Sequence, residues 1–363
     1  MIEYYIGVMS GTSLDGVDVV YCSIENSKIQ ELSALEFPFD AELKTLILEA
    51  ISGTTTLSEI GKIDYQLGEL FAKAINALIK QGNLDPSKIT AIGLHGQTLW
   101  HEPNSATAFS MQLGNASVVH AQTGICVIYD FRSLDIAYGG QGAPLVPAFH
   151  QEIFGHLSQR TVVLNLGGIA NVSFLGSNIR GFDTGPANVL LDYWCEKHLQ
   201  KPFDKNGEWA HSGKCDNGLL TRLLEAPYFQ KSTPKSTGRE EFNAEFLENH
   251  LSAFPNISAP DVQATLLELT TQSISDALKF EEIELLILCG GGAKNSALVS
   301  SLQVKLPQTK LESSEVYGVN SDNMEALAFA WLAYKRVHQE VVPLSSVTGA
   351  SKDLILGAII GAV

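Results

Sequence analysis

Positive charge is scarce in this chain. Its 363 residues carry 24 Lys and Arg against 40 Asp and Glu, a formal net charge of −16. Such a polyanion repels nucleic acid and anionic membranes, so neither is an expected partner. Any phosphate it binds must be met by main-chain donors, a metal ion and a few placed side chains. Cysteine is sparse as well. Cys22, Cys126, Cys195, Cys215 and Cys289 are scattered and form no C-x-x-C pair. That pattern excludes a disulfide framework and a thiolate zinc site, and fits buried thiols in a reducing compartment. The start, MIEYYIGVMSGTSLDG, lacks the basic and long apolar regions of a secretory leader, and the apolar stretch 354–363 is too short to span a bilayer. A cytoplasmic protein is expected. Heptads, low-complexity tracts and blocks of like charge are missing. So are a G-x-S-x-G elbow and the Gly-Lys-Ser/Thr that closes a Walker loop. His101, His120, His150 and His156 show no metal-ligand spacing.

What is present is apolar mass. Hydrophobic residues make up 45% and charged residues 18%, enough for large cores. The length favours two domains over one. Residues 4–9 and 17–24 read as a hairpin with a long, small-residue tip. Residues 56–82 read as a helix with a Thr56/Glu59 capping box, an apolar face through Ile63, Leu67, Phe71, Ala74 and Leu78, and Gly82 at C′. A strand over 89–94 runs into His95-Gly96-Gln97, and 130–147 reads as a Gly-rich loop. A second hairpin, 161–166 and 172–175, echoes the first and suggests two lobes of related design. Further helices follow Pro186, run over 260–280, start near Asn295 and span 320–337; a buried strand covers 285–289. Strands alternate with helices, so the class is α/β. The expected division is an N-terminal lobe over 1–130, joined by 340–363, and a C-terminal lobe over 131–339.

Several segments suit nucleotide and sugar chemistry. In Ser10–Asp18 the glycines allow close backbone approach, and consecutive N–H groups with Thr12 and Ser13 hydroxyls suit a phosphate. Asp15, the first choice, or Asp18 suits Mg²⁺ held through water. An ordinary Gly-rich turn is the plain alternative. Gly167, Gly168 and Asn171 form a second small turn. Gly290, Gly291 and Gly292 end a strand ahead of Lys294 and Asn295, where glycines admit a flat ring or a phosphate, or serve close helix–strand packing. Asp183, in Gly-Phe-Asp-Thr-Gly-Pro, is the carboxylate placed to act as a base, against an Asx-turn or helix cap as the bland role. Glu325 opens the last long helix, where it complements the helix dipole. Arg132 and Asp135 share the 130–147 loop with Gln141. They form either a surface ion pair or, through Arg132, a fork for a sugar carboxylate. His95 is a ligand contact or a satisfied, half-buried ring.

Taken together, these segments resemble the anhydro-N-acetylmuramic acid kinase family. The resemblance is carried by GVMSGTSLDGVDVV, GLHGQTLWH, YDFRSLDIAYGGQGAPLVP, LNLGGIANVSF, GFDTGPAN, PKSTGREEFN, CGGGAKN and NSDNMEALAFAWLA, in order from residue 7 to about residue 333. It implies a two-lobed actin-like ATPase fold of ribonuclease H-like domains, closing over ATP and Mg²⁺. It implies hydrolytic opening of 1,6-anhydro-N-acetylmuramic acid and phosphorylation of O6, in cell-wall recycling. By motif, Gly11, Thr12, Ser13, Leu14, Asp15, Gly16, Val17 and Asp18 become the ATP-binding loop, joined by the second turn and the triple-glycine segment through Asn295. Asp183 becomes the base that activates water, and Glu325 a sugar contact beside Arg132, Gln141 and His95. The partner implied is the small anhydro-sugar, with a homodimer left open. A kinase of another hexose or amino sugar, and a non-catalytic member of the fold, are the competing readings.

Overall fold

The apolar runs near the N-terminus form antiparallel strands, as their short polar connections require. The computed structural model describes every residue except Thr12, Ser13, Asp15, Ser27, Gln159, Pro234 and Val363. Strands β1 (Glu3–Ser10), β2 (Gly16–Glu25) and β3 (Lys28–Pro38) pair in sequence, with Ser10 opposite Val17 and Met9 opposite Asp18. The chain then crosses over through helices Ala41–Ile51 and Leu57–Gln81. It returns as β4 (Ile89–Glu102), parallel to β1. β5 (Phe109–Leu113) folds back on β4, and β6 (Val127–Tyr129) lies parallel to it. A second sheet repeats the plan. β7 (Thr161–Leu166), β8 (Ile169–Phe174) and β9 (Arg180–Pro186) pair antiparallel in sequence. After a helical crossover, β10 (Leu285–Cys289) joins β7 in parallel and β11 (Lys310–Ser313) joins β10. β12 (Ala358–Ile360) ends the chain against β6.

The spines read β3-β2-β1-β4-β6 and β9-β8-β7-β10-β11. Both have three strands joined antiparallel, then two added in parallel. Hairpins need only short turns, whereas parallel neighbours need long crossovers, and the helices supply these in both sheets. This is the ribonuclease H-like strand order laid down twice, the doubling on which actin-like ATPases are built. The resemblance between the two hairpins was the sequence trace of it.

By contacts the chain divides into two compact units, Met1–Ile153 with Asn323–Val363, and Phe154–Asp322. Residues 131–153 and 323–339 thus fall in the first unit, where the sequence reading had placed them in the second. The cause is the close seat of helix Met324–Val337 on the first sheet. A Cβ on Gly7 would lie 1.8 Å from the Ala326 carbonyl oxygen, and one on Gly93 would lie 2.0 Å from that of Phe329. Only hydrogen at these two positions lets the helix backbone meet the strands, and Met324, Leu327, Phe329 and Trp331 are buried as a result. In the second unit, Val162, Leu164, Val172, Leu286 and Leu298 form the sheet-side core.

Some expected boundaries move. β4 continues past residue 94, because Gly96, at φ +80°, opens a bulge that leaves Ser10 opposite Gln97 instead of ending the strand. The capping box of helix Leu57–Gln81 is made in both directions. At its other end Gly82 stays right-handed, at φ −82°, and Asn83 takes the left-handed position, at φ +47°. The 130–147 segment is not all loop: it holds helix Ser133–Ala137 and the start of helix Val146–Phe154. Among the described residues no helix is long and apolar enough to cross a membrane.

The helix seat gives a direct test. Gly93→Ala should destabilise the protein by about 3 kcal/mol or more, since a methyl group there meets main chain that cannot turn aside. Urea unfolding measures it, and a loss below about 0.5 kcal/mol contradicts the close seat.

Candidate functional site

In the first unit the expected groups converge around the end of β1. The Ser10 hydroxyl donates to Gln97 Oε1 at 2.5 Å, and both side chains are buried. Beyond Ser10, the Leu14 N–H donates to the Gly11 carbonyl at 3.3 Å, and Leu14 sits left-handed at φ +55° with its side chain buried. Gly16 opens β2, Val17 is buried, and Asp18 lies half-buried on β2 opposite Glu36. Leu14 and Val17 are therefore core side chains, and these two residues can meet a ligand only through their main chain. Thr12, Ser13 and Asp15, which carry the expected hydroxyls and the first-choice metal carboxylate, lie outside the described residues.

Arg132 comes next to this end of the sheet. It donates from Nε (3.3 Å) and Nη2 (2.8 Å) to His95 Nε2, and from Nη1 to the Gly142 carbonyl at 2.6 Å. Because both contacts to the ring are donors, His95 Nε2 is the lone-pair nitrogen and the imidazole is neutral. Burial, and then the Arg132 charge, hold the His95 pKa well below the usual range, against a weaker pull from the main chain of Gly96 and Ser10. Burial draws Arg132 itself down to about 10, opposed by the charges of Glu325 and Asp135. Glu325, in the first turn of helix Met324–Val337, thus belongs to the same group. Asp135 departs from its expected role as a surface ion-pair partner. It is buried, accepts from the Gly142 N–H at 2.7 Å, and accepts from the Thr348 hydroxyl at 2.8 Å. Gly140 has no room for a side chain against that carboxylate, and the Gln141 N–H donates to the Thr348 carbonyl at 2.9 Å. The Gly-rich loop is strapped down rather than loose.

In the second unit the small-residue turns also meet. A Cβ on Gly290 would lie 2.4 Å from Asn165 Oδ1, and one on Gly292 would lie 2.8 Å from Leu166 Cβ, so these two glycines serve packing against the end of β7. Gly291, between them, faces nothing within 4 Å. The carbonyls of Gly167 and Gly168 accept from the N–H groups of Ala187, Asn188 and Val189, which open helix Asn188–Leu199. That helix start is spent on the turn. Asn171 lies within β8, not in the turn, because β8 begins at Ile169. Lys294 is ion-paired with Asp322, and Asn295 caps helix Ser296–Lys305 by accepting from the Leu298 N–H at 3.2 Å.

Asp183 lies within β9, opposite Asn171, rather than after a strand. Its main chain is held twice: the N–H donates to the Lys235 carbonyl at 3.0 Å and the carbonyl accepts from the Tyr228 hydroxyl at 2.6 Å. Among the described residues its carboxylate has one hydrogen-bond partner, the Thr237 N–H, 2.9 Å from Oδ2. Burial pushes its pKa up to about 7; the Thr237 bond lowers it and the Glu240 charge raises it. A half-buried carboxylate that titrates near neutrality and keeps Oδ1 uncommitted can take a proton from water. The bland reading, an Asx-turn or a helix cap, does not describe this strand residue.

Sequence reasoning missed the residues that hold it. Tyr228 is buried, with the Lys235 ammonium 4.5 Å from its ring centroid. The Thr237 hydroxyl donates to Glu241 at 2.9 Å, and Lys231 pairs with the same carboxylate at 3.3 Å. Lys235, Thr237 and Glu241 lie in PKSTGREEFN, legible from sequence only as part of the family resemblance, with no role and no periodicity to assign one. Among the described residues no three His, Cys, Asp or Glu side chains are grouped to hold a metal ion.

Known proteins match this chain over nearly its whole length. The family model described as anhydro-N-acetylmuramic acid kinase matches residues 3–362. A protein of that name from Sulfurimonas denitrificans is 53% identical over 366 residues, covering 99% of this chain and 100% of the relative. Another, from Sulfurovum sp., is 50% identical and covers 98% of this chain and 99% of the relative. Among solved structures, component A of (R)-2-hydroxyglutaryl-CoA dehydratase from Acidaminococcus fermentans is similar at 12% identity, with a TM-score of 0.48 over 93% of this chain and 99% of that one.

The raised pKa of Asp183 has a consequence for stability. Its folded pKa, about 7, exceeds the ordinary carboxylate value that it has when unfolded. The residue therefore costs nothing in strongly acid solution, and its cost grows as pH rises until it is complete above about 7. Asp183→Asn, which keeps an acceptor for Thr237, should raise the thermal midpoint by a few degrees at pH 8 and by clearly less at pH 5. A gap of equal size at both pH values contradicts the assignment.

Proposed function

The chain belongs to the anhydro-N-acetylmuramic acid kinase family, and on that basis we propose how it acts. It opens 1,6-anhydro-N-acetylmuramic acid with water and phosphorylates O6 from ATP, giving N-acetylmuramic acid 6-phosphate and ADP in cytoplasmic recycling of the cell wall. The observation that carries this reading is Asp183, a carboxylate fixed through its main chain, bonded at Oδ2 to the Thr237 N–H and poised near pKa 7.

Asp183 takes one proton from water as the water oxygen bonds C1. The C1–O6 bond breaks, and O6 departs with its electron pair. That oxygen then attacks the γ-phosphorus, and ADP leaves. The leaving group of the first step is the nucleophile of the second, so no second carboxylate is required to protonate it, unlike the usual glycosidase pair. Arg132 receives the lactyl carboxylate of the sugar, with Glu325 and Gln141 on its other polar groups. Gly11–Asp18 and Gly167–Gly168 meet the phosphates through their main chain, with Asn171 nearby. Gly291 leaves open space for the nucleotide beside the packed Gly290 and Gly292. Lys294 and Asn295 stand at the same end; Lys294 reaches the nucleotide only by leaving Asp322.

The single carboxylates on this chain suit Mg²⁺ that is held chiefly by nucleotide phosphates and water. Asp15, outside the described residues, and Asp18 are the candidates to hold it. When bound it supplies neutralisation of phosphoryl charge.

Asp183→Asn should abolish both ring opening and phosphorylation while ATP binding, measured by calorimetry, is retained. The wild-type kcat/KM should rise with pH and level off above about 7, where the base is fully ionised. Normal turnover by the variant contradicts the assignment. A coupled ADP assay that responds to N-acetylglucosamine and not to the anhydro-sugar would contradict the substrate.

A further inference from the structure

We infer that His95 is a positioning residue, which sets the Arg132 guanidinium so that its remaining N–H groups are free to take the carboxylate of the sugar. The inference rests on the substrate reading above and deepens it. It moves His95 from the expected ligand contact to the layer behind one.

A guanidinium has five N–H donors in a fixed plane. In Arg132 three of them are accounted for: Nε and one hydrogen of Nη2 on His95 Nε2, and one hydrogen of Nη1 on the Gly142 carbonyl. Among the described residues one hydrogen on each terminal nitrogen is left without a hydrogen-bond partner, which is what a carboxylate accepts in bidentate form. The acceptors that orient the plane are themselves fixed. His95 is 6% exposed, and its ring centroid lies 4.6 Å from that of Phe329. The carbonyl of Phe329 is the one seated on Gly93, two residues before His95, so ring and partner share one rigid contact. On the other side, Gly142 is held by Asp135, which is held in turn by Thr348. His95 also has to be neutral here, because an imidazolium has no lone pair for Arg132 and would repel it. Among the described residues its buried Nδ1 makes no hydrogen bond of good geometry, although the main chain of Gly96 and Ser10 lies close enough to act on the ring.

The test is a steady-state mutant cycle on the full chain with the anhydro-sugar and ATP. His95→Leu should raise the KM for the sugar about tenfold, the usual size of one lost bond to a charged group, with kcat within about twofold and the KM for ATP unchanged. His95→Gln, whose amide oxygen can accept from Arg132, should recover most of that loss. In an Arg132→Ala background, His95→Leu should cost nothing further. Arg132→Lys should resemble Arg132→Ala, because one ammonium cannot satisfy His95 and Gly142 and still offer two donors; this holds the test open if His95→Leu fails to fold. Equal rises in KM for sugar and ATP, or the same loss with and without Arg132, overturn the role. Wild-type protein inactive on the anhydro-sugar overturns the substrate reading, and this role with it.

Discussion

The proposed chemistry depends on one carboxylate kept short of water. An Asp on a strand ordinarily turns to solvent; Asp183 instead has its N–H and carbonyl tied to Lys235 and Tyr228, and its Oδ2 tied to Thr237. Burial raises the free energy of its charged form, and a single N–H bond returns only part of it. That imbalance pushes its pKa up to about 7, the range the proposed base needs. Tyr228, Lys235 and Thr237 form the clamp around Asp183. Tyr228 is anchored among Phe229 and Phe242, and Lys235 lies over its ring, so the clamp is part of a core rather than a loose loop.

Glycine does two different jobs. Gly7, Gly93, Gly290 and Gly292 are places where another backbone or side chain leaves no room for a methyl group. They bring helix Met324–Val337 onto the first sheet and the triple-glycine segment onto β7. Gly291 is flanked by two such contacts yet faces open space. The sequence alone could not separate these roles, since all three glycines of the segment look alike until the end of β7 is laid against them.

Charge is used with similar economy. In a chain of net charge −16, the hydrogen bonds that orient Arg132 go to acceptors that carry no full charge, His95 and a carbonyl, while the charges of Glu325 and Asp135 favour its charged form. Asp135, three residues further along, spends its hydrogen bonds on Gly142 and Thr348. From sequence, Arg132 and Asp135 looked like a pair because they are three residues apart. The structure separates their duties because the second donor to Asp135, the Thr348 hydroxyl, is more than two hundred residues away. The same limit explains the other misses. The hairpins, the Thr56/Glu59 capping box and the doubled design were legible because local pattern dictates them. The continuation of β4 through its bulge, the assignment of helix Met324–Val337 to the first unit and the clamp on Asp183 all depend on contacts distant in sequence. Asp183 was picked out by its motif; that it sits in β9, and what raises its pKa, was not legible.

The central claim is that solvent water enters the sugar at C1 while O6 is kept and phosphorylated. Mass spectrometry of the product formed in ¹⁸O-water measures this, read at early times and against unlabelled N-acetylmuramic acid 6-phosphate incubated in the same water to correct for anomeric exchange. The account predicts one ¹⁸O at the anomeric carbon and none in the phosphate ester. An unlabelled sugar, or label found in phosphate released from ATP, would contradict it.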